Sequence, residues 1–304
     1  MTERYDVIVI GAGVAGMTAA DLAAQKGLKV ALAEEAMFGG LIINVNHLSP
    51  APENMAGSGG DLAAEMMTKA ADAGVDILME PVSALEALPS GDIRITTQDE
   101  VRHARSVIIA TGARLRKLHV PGEDEFEHRG VSHCADCDGP MFRGEPVMVV
   151  GGGDSALQEA AVLAEFSPKV HLVHRRGSFS GRDAFIKTVT ANPNIAVHFD
   201  TIVDAIEGDS AVNTVRLRGV TSGQTTSVPC KGFFAYVGLE PNTGFLSGID
   251  KDGAHLRVND RLETSLHNVY AIGAVRAGFG GELTHAIEDA GRVIEAVRTK
   301  FALA

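Results

Sequence analysis

The stretch "YDVIVIGAGVAGMTAADLAAQKGLKVALAEE", residues 5–35, decides the fold. It opens with a β-branched apolar run, breaks at a glycine cluster, passes through an alanine-rich segment and ends in a second apolar run. Strands buried on both faces of a parallel sheet require such continuous runs, so the segment reads strand, turn, helix, strand. Gly11, Gly13 and Gly16 form G-x-G-x-x-G directly after the first strand. The first glycine of that pattern makes the tight turn, the second lets backbone reach a pyrophosphate, and the third lets helix pack on strand. The helix start then offers unpaired N–H groups to the anion. Glu34, followed by Glu35, closes the second strand where a carboxylate receives ribose hydroxyls.

The pattern returns in "EPVMVVGGGDSALQEAAVLAEFSPKVHLVHRR", residues 145–176. Gly151, Gly153 and Ala156 occupy the fingerprint positions, with Asp154 and Ser155 opening the helix. Here the second strand ends in His174, Arg175 and Arg176, with no acid. A carboxylate at that position suits the 2′-hydroxyl of NAD, whereas cations suit a 2′-phosphate. The chain is thus expected to be α/β, with two Rossmann-like dinucleotide-binding domains for two different nucleotides. "SVIIATGARLRKLHVPGEDEF" reads as a further strand leading to an exit loop at Pro121 and Gly122, a natural boundary.

Composition narrows the class. The 304 residues, 45% hydrophobic and 22% charged, describe a globular chain with room for two cores. A formal charge of −12 makes nucleic acid a poor partner. The apolar runs are too short to span a bilayer, and the start shows no secretory pattern. A cytoplasmic location is expected, and three cysteines are no disulfide framework.

Two of those cysteines lie in "SHCADCDGP", residues 132–140. Zinc needs about four ligands, and one C-x-x-C supplies two; no metal is expected. A permanent bridge would close only a tiny loop in a reducing compartment. Redox cycling fits better, because one thiolate can attack a partner disulfide while the other resolves the mixed disulfide. Asp138 is placed to serve as acid and base, although Asp-Gly is also a common turn. Cys230 reads as a small buried hydrophobe.

The stretches "VIVIGAGVAGMTAA", "VIIATGA", "CADCDG", "VVGGGDSALQEA", "VHLVHRR", "VGLEPNT" and "NVYAIGAV…HAIEDAG" are spread over nearly the whole chain. In them it resembles the low-molecular-weight thioredoxin reductase family of FAD-dependent pyridine nucleotide-disulfide oxidoreductases. The resemblance implies an FAD domain made of residues 1–117 and 244–304, an inserted NAD(P)H domain of residues 118–243, and a homodimer. It implies hinges near Leu118–Gly122 and Pro241–Thr243. Gly11, Gly13, Ala15, Gly16, Glu34, Glu35, Gly40, Leu41, Thr111, Gly112, Gly273, Ala274, His285 and Ala286 would meet FAD. Gly151, Gly153, Asp154, Ser155, His174, Arg175, Arg176 and Arg182 would meet NADPH, with NADH as the alternative. Cys137 would face the flavin, Cys134 would exchange with a thioredoxin-like protein disulfide or a small disulfide, and Asp138 would be the acid/base.

Three departures from the family pattern stand out. Ser180 occupies the place of a third arginine, with Arg182 nearby as a substitute. Gly273–Ala274 stands where the family has Gly-Asp, removing a ribityl contact, and Leu41 replaces a glutamine. His285, near the flavin edge by alignment, is either a proton relay or only a helix-start residue. Other readings stay open: a dithiol oxidase using oxygen, a related flavoprotein with a different reductant, or a flavin-binding sensor without turnover.

Overall fold

The computed structural model describes residues 4–45, 48, 57–98 and 100–301. The chain forms two compact units: Met1–Arg114 with Glu240–Ala304, and Leu115–Leu239. Its first part runs β1 (Arg4–Ile10), α1 (Val14–Gln25), β2 (Val30–Ala33), α2 (Gly59–Asp72), β3 (Asp76–Leu78), β4 (Val82–Ala87), β5 (Ile93–Thr97), β6 (Val101–Ile109) and β7 (Ala113–Leu115). Next come β8 (Val131–Ser132), α3 (Ala135–Asp138), β9 (Val147–Gly151), α4 (Asp154–Leu163), β10 (Val170–Val173), α5 (Asp183–Ala191) and β11 (Ile195–His198). The second unit continues through β12 (Thr201–Gly208), β13 (Val212–Gly219), β14 (Thr225–Pro229) and β15 (Gly232–Tyr236). The chain returns by β16 (Leu239–Pro241), β17 (Lys251–Asp252), β18 (His255–Leu256), β19 (Val269–Ala271) and α6 (Leu283–Phe301).

The crossings fall after Arg114 and Leu239, upstream of the cuts expected after 117 and 243. Backbone bonds explain the difference. In the first unit Asn242 N–H donates to Gly112 C=O at 3.0 Å, and in the second Arg116 N–H donates to Gly238 C=O at 3.0 Å. The Pro121–Gly122 loop lies inside the second unit, where Pro121 C=O accepts the Ile206 N–H at 2.8 Å. Proline and glycine mark a turn there, not a boundary.

In the first unit β3, β2, β1 and β6 are parallel neighbours, and β19 joins the C-terminal end of β6 with Val269 beside Val107. The other half of β6 carries the antiparallel β5 and β4. Alternate residues of β1 serve both faces, as strand geometry demands. Val7 and Val9 pack with Met17, Ala20, Leu62, Val293 and Val297 of α1, α2 and α6. Ile8 and Ile10 pack with Leu246, Ile249 and Val275 on the other face. Burial on both sides is why the strand reads as one apolar run.

In the second unit a parallel sheet has the order β11-β10-β9-β15-β8, and β12, β13 and β14 form an antiparallel sheet. Val147, Val149 and Leu172 pack on Ala156, Leu157 and Leu163 of α4. Met148, Val150 and Phe233 face Val203, Val215 and Leu217. At the sheet edge, half-buried His171 and His198 share a hydrogen bond of 3.0 Å between Nδ1 and Nε2.

Burial, then the charge of the neighbouring ring, pushes the His171 pKa down to about 4, and burial lowers His198 as well. Both rings are neutral in the folded protein, so the unfolded chain binds more protons below its own histidine range. Stability is therefore complete above pH ~6.5 and falls as pH drops toward ~4, by about 1–2 kcal/mol once solvent screening is allowed for. Thermal unfolding between pH 7 and pH ~4.5 should show a steeper loss in the parent than in His171→Asn.

Candidate active site

The first glycine cradle lies at the C-terminal edge of the parallel strands, the usual ligand edge of such sheets. A Cβ on Gly11, whose φ is +103°, would come within 2.5 Å of the Ala110 carbonyl oxygen, and one on Gly16 would overlap the carbonyl of Gly11. Gly13, by contrast, faces open space apart from the Gly39 carbonyl at 4.0 Å. Backbone closeness demands the outer two glycines, and the middle one leaves room for a ligand. Glu34 accepts the Ala12 N–H at 2.7 Å and the Glu35 N–H at 3.0 Å. Its carboxylate thereby fastens β2 to the glycine turn. Gly39 N–H donates to Ala12 C=O at 2.6 Å, which brings Gly40 to 3.5 Å from the Gly13 Cα, measured from its would-be Cβ. Leu41 follows in a short 3-10 turn and is 38% exposed.

Thr111 and Gly112 stand at the end of β6. The Thr111 hydroxyl donates to the Asn242 carbonyl at 2.8 Å, and Asn242 Nδ2 returns a bond to Thr111 C=O at 2.9 Å. The threonine is committed to its own unit. Gly273 follows β19 with φ +70°, and its would-be Cβ lies 3.0 Å from that of Ala15. Ala274 therefore stands beside the cradle without a carboxylate.

A carboxylate does reach this turn, from a helix. Asp289 of α6, 1% exposed, accepts the Gly273 N–H at 3.0 Å. It also binds Arg276 twice, Nε to Oδ2 at 2.6 Å and Nη2 to Oδ1 at 2.8 Å. Arg276 continues to the Ala277 carbonyl at 3.0 Å and lies over the Phe279 ring at 5.9 Å. Sequence reading missed this bidentate pair; its signal was an acid at an apolar-face position, among Ile287, Ala290 and Val293. His285 packs edge-on to Phe279 and against Gly280, with Nδ1 buried and unpartnered, and Ala286 is buried in the core.

In the second unit β8 pairs with β15, Ser132 beside Phe234, and delivers the chain to the cysteine turn. Cys134 and Cys137 form a disulfide with Cα atoms 5.3 Å apart. Cys134 caps α3, its Sγ accepting the Cys137 N–H at 3.1 Å, a bond that favours thiolate on that sulfur. Cys134 is buried, whereas Cys137 is exposed. Asp138 accepts the Ser132 hydroxyl at 2.6 Å, and Ser132 Oγ accepts the Cys134 N–H at 3.3 Å. The aspartate is thus connected to the cysteine backbone through one hydroxyl. Cys230 is buried far up its range, to about 12, its thiol donating to Gly232 C=O at 2.8 Å.

The second cradle repeats the first. Gly151 has φ +150° and abuts the Tyr236 carbonyl and the Ala156 methyl, while Gly153 is open. Ser155 is exposed on the first turn of α4. His174 is buried against Gly152, with Nε2 unpartnered. Arg175 and Arg176 project into solvent. Ser180 donates its N–H to Gly152 C=O at 2.8 Å. Arg182, expected as the substitute cation, instead binds Asp154 at 2.6 Å through Nε and lies over the Phe185 ring at 4.7 Å. The dipole of α4 favours Asp154 in its first turn, and Arg182, at the N-cap of α5 where a cation is disfavoured, is offset by that carboxylate.

Both cradles fit nucleotide pyrophosphates, and the cysteine turn fits dithiol–disulfide exchange. Among the described residues no group of three or more His, Cys, Asp or Glu could hold a metal ion, and no helix is long and apolar enough to cross a membrane.

Together these features define a flavin- and pyridine nucleotide-dependent disulfide oxidoreductase. The family described as "Pyridine nucleotide-disulphide oxidoreductase" matches residues 5–294. The chain is 38% identical to the thioredoxin reductase of Treponema pallidum over 279 residues, 91% of each chain. It is 38% identical to that of Mycolicibacterium smegmatis over 275 residues, 88% of each. Among solved structures, Lactococcus lactis thioredoxin reductase superposes with a TM-score of 0.92 at 33% identity, covering 99% of this chain and 100% of that one. The chain belongs to the pyridine nucleotide-disulfide oxidoreductases and, within them, to the low-molecular-weight thioredoxin reductases.

Proposed function

We propose that the protein passes electrons from NADPH, held at the Gly151–Gly153 cradle, through FAD, held at the Gly11–Gly16 cradle, to Cys134–Cys137. From there they reach the disulfide of a thioredoxin. The observation that carries this reading is the cysteine turn itself: a disulfide whose Cys134 sulfur is an N-cap and whose backbone is bonded through Ser132 to Asp138. Its relatives named as thioredoxin reductases support the choice of partner. The protein acts as a cytoplasmic homodimer in this reading.

Bound FAD supplies two-electron exchange between nicotinamide and disulfide. The chain's own residues do the rest. Two electrons cleave the S–S bond, leaving a thiolate and, after one proton arrives, a thiol. Cys137, the exposed sulfur, would be the one to receive electrons from the flavin. The Cys134 thiolate attacks the partner disulfide and releases one partner thiolate, which Asp138 protonates. Cys137 then gives its proton to the Asp138 carboxylate and attacks Cys134 Sγ, closing the internal disulfide; the second partner thiolate leaves and takes that proton from Asp138.

Anaerobic NADPH should bleach the flavin, and added oxidised thioredoxin should restore its colour. A flavin that ignores NADPH and NADH but is reduced by a small dithiol would overturn this in favour of an oxidase. Donor choice rests on Arg175 and Arg176, which present cations where the 2′-phosphate lies. Changing both to alanine should raise KM for NADPH about 10- to 100-fold, the value of a hydrogen bond to a charged group. Steady-state kinetics with NADH should change little.

A further inference from the structure

Glu159 projects from α4 beside Ala156, Leu157, Ala160 and Leu163, all of them fully buried. Such a position favours apolar side chains, and a carboxyl there needs partners. It has two. Oε2 accepts the Ala135 N–H at 3.2 Å and the Tyr236 O–H at 3.3 Å. Ala135 is the residue after Cys134 and is itself fully buried, so this bond satisfies an amide inside the C-x-x-C. Tyr236 closes β15, the strand beside β8, so the contact ties α4 and β15 to the cysteine turn.

A glutamine could accept both bonds. The carboxyl adds a charge, and its surroundings act on that charge. Burial first, and then Asp136 of α3, raise the Glu159 pKa, against the opposing bonds from Ala135 and Tyr236. Burial likewise pushes the Tyr236 hydroxyl far up, so it stays a donor. The other ionisable groups around the turn are Asp138 with Ser132, and His133, which pairs with Glu127 at 2.9 Å.

We propose that Glu159, held by Tyr236, is a positioning residue that fixes the turn and sets how readily Cys134 ionises, its carboxylate opposing the thiolate. The inference rests on the reading of Cys134–Cys137 as the redox couple. Reduction by two electrons and one proton leaves one thiol and one thiolate on this turn. A thiolate at Cys134 and a carboxylate bonded to the next amide are like charges, each disfavouring the other. Release of the electrons to the partner disulfide removes the thiolate and relieves the opposition. Glu159 thus favours discharge of the reduced turn, while Asp138, on the Ser132 side, handles the proton.

The test uses the full-length holoprotein reduced with excess dithiothreitol and freed of it. Iodoacetamide labelling of Cys134 and Cys137 is followed across pH by mass spectrometry. Glu159→Gln should keep the parent's melting temperature and flavin content. Its Cys134 labelling should rise at lower pH, about 3-fold or more faster than the parent at pH ~7. Glu159→Leu should shift the profile the same way while lowering the melting temperature, because the Ala135 amide loses its acceptor; a shift common to both variants belongs to the charge that each removes. Profiles of both variants that superimpose on the parent's would overturn the proposal and leave Glu159 a strut. Because the reduction is chemical, labelling is read whether or not NADPH drives the flavin, so failure of the proposed function is seen separately.

Discussion

Cys134→Ser should lower NADPH-driven reduction of a thioredoxin disulfide at least about 10³-fold, as expected when one member of a concerted catalytic unit is lost. NADPH should still bleach its flavin at close to the parent rate, because hydride transfer from nicotinamide to flavin precedes and does not use that sulfur. Cys137→Ser should lose the same overall activity and differ in the spectrum. With Cys137 as the sulfur that meets the flavin, Cys134→Ser retains the thiolate-dependent long-wavelength absorbance of the reduced protein and Cys137→Ser lacks it. The assignment has a physical basis on each side: Cys134 carries the helix N–H that stabilises a thiolate, and Cys137 carries the exposure. If transfer survives in either variant, the exchange runs through other groups and the cysteine assignment fails.

The second large effect is expected at Asp289. Changing it to alanine leaves the largely buried Arg276 guanidinium, 12% exposed, without its carboxylate and the Gly273 amide without an acceptor. Removing one partner of a buried ion pair costs about 3–5 kcal/mol, read here by chemical denaturation of the flavin-free protein. The same variant should retain less flavin on gel filtration, because the Gly273–Val275 turn beside the cradle loses its anchor. The double change Arg276→Leu with Asp289→Leu separates the two consequences. Buried pairs replaced by apolar side chains are often neutral in stability, so the double variant should recover most of the lost free energy while flavin retention stays low. Recovery of both would show that the pair serves stability alone.

Local chemistry was legible in the sequence, and partnership across the fold was not. Gly11, Gly13 and Gly16 declare themselves because their spacing is forced by backbone contacts a few residues away. Cys134, Cys137 and Asp138 declare themselves for the same reason: one helical turn holds all three. Asp289, Arg276, Glu159 and Tyr236 did not, because each is defined by a partner brought from another element. Asp289 lies in "HAIEDAG" among apolar residues, where nothing in the local spacing announces the arginine it binds. Ser132 lay in plain view two residues before Cys134, yet only strand pairing shows that it bonds Asp138. Arg182 was read by its charge, and the fold spends that charge on Asp154. The exit loop was read from Pro121 and Gly122, and the crossings fall where short strands pair, a feature without compositional signal.

The interrupted first unit has a consequence for how the protein is made. Residues 115–239 leave the ribosome with every strand of their own two sheets, and domains fold as units as they emerge. The host sheet cannot close at that stage, since β6 awaits β19 and the face of α1 awaits α6. The carboxylate that anchors Gly273 comes later still. The inserted unit is therefore born first and its host last, and a nascent chain stalled when residue 239 has just cleared the ribosome should bind NADPH before any version of it binds FAD.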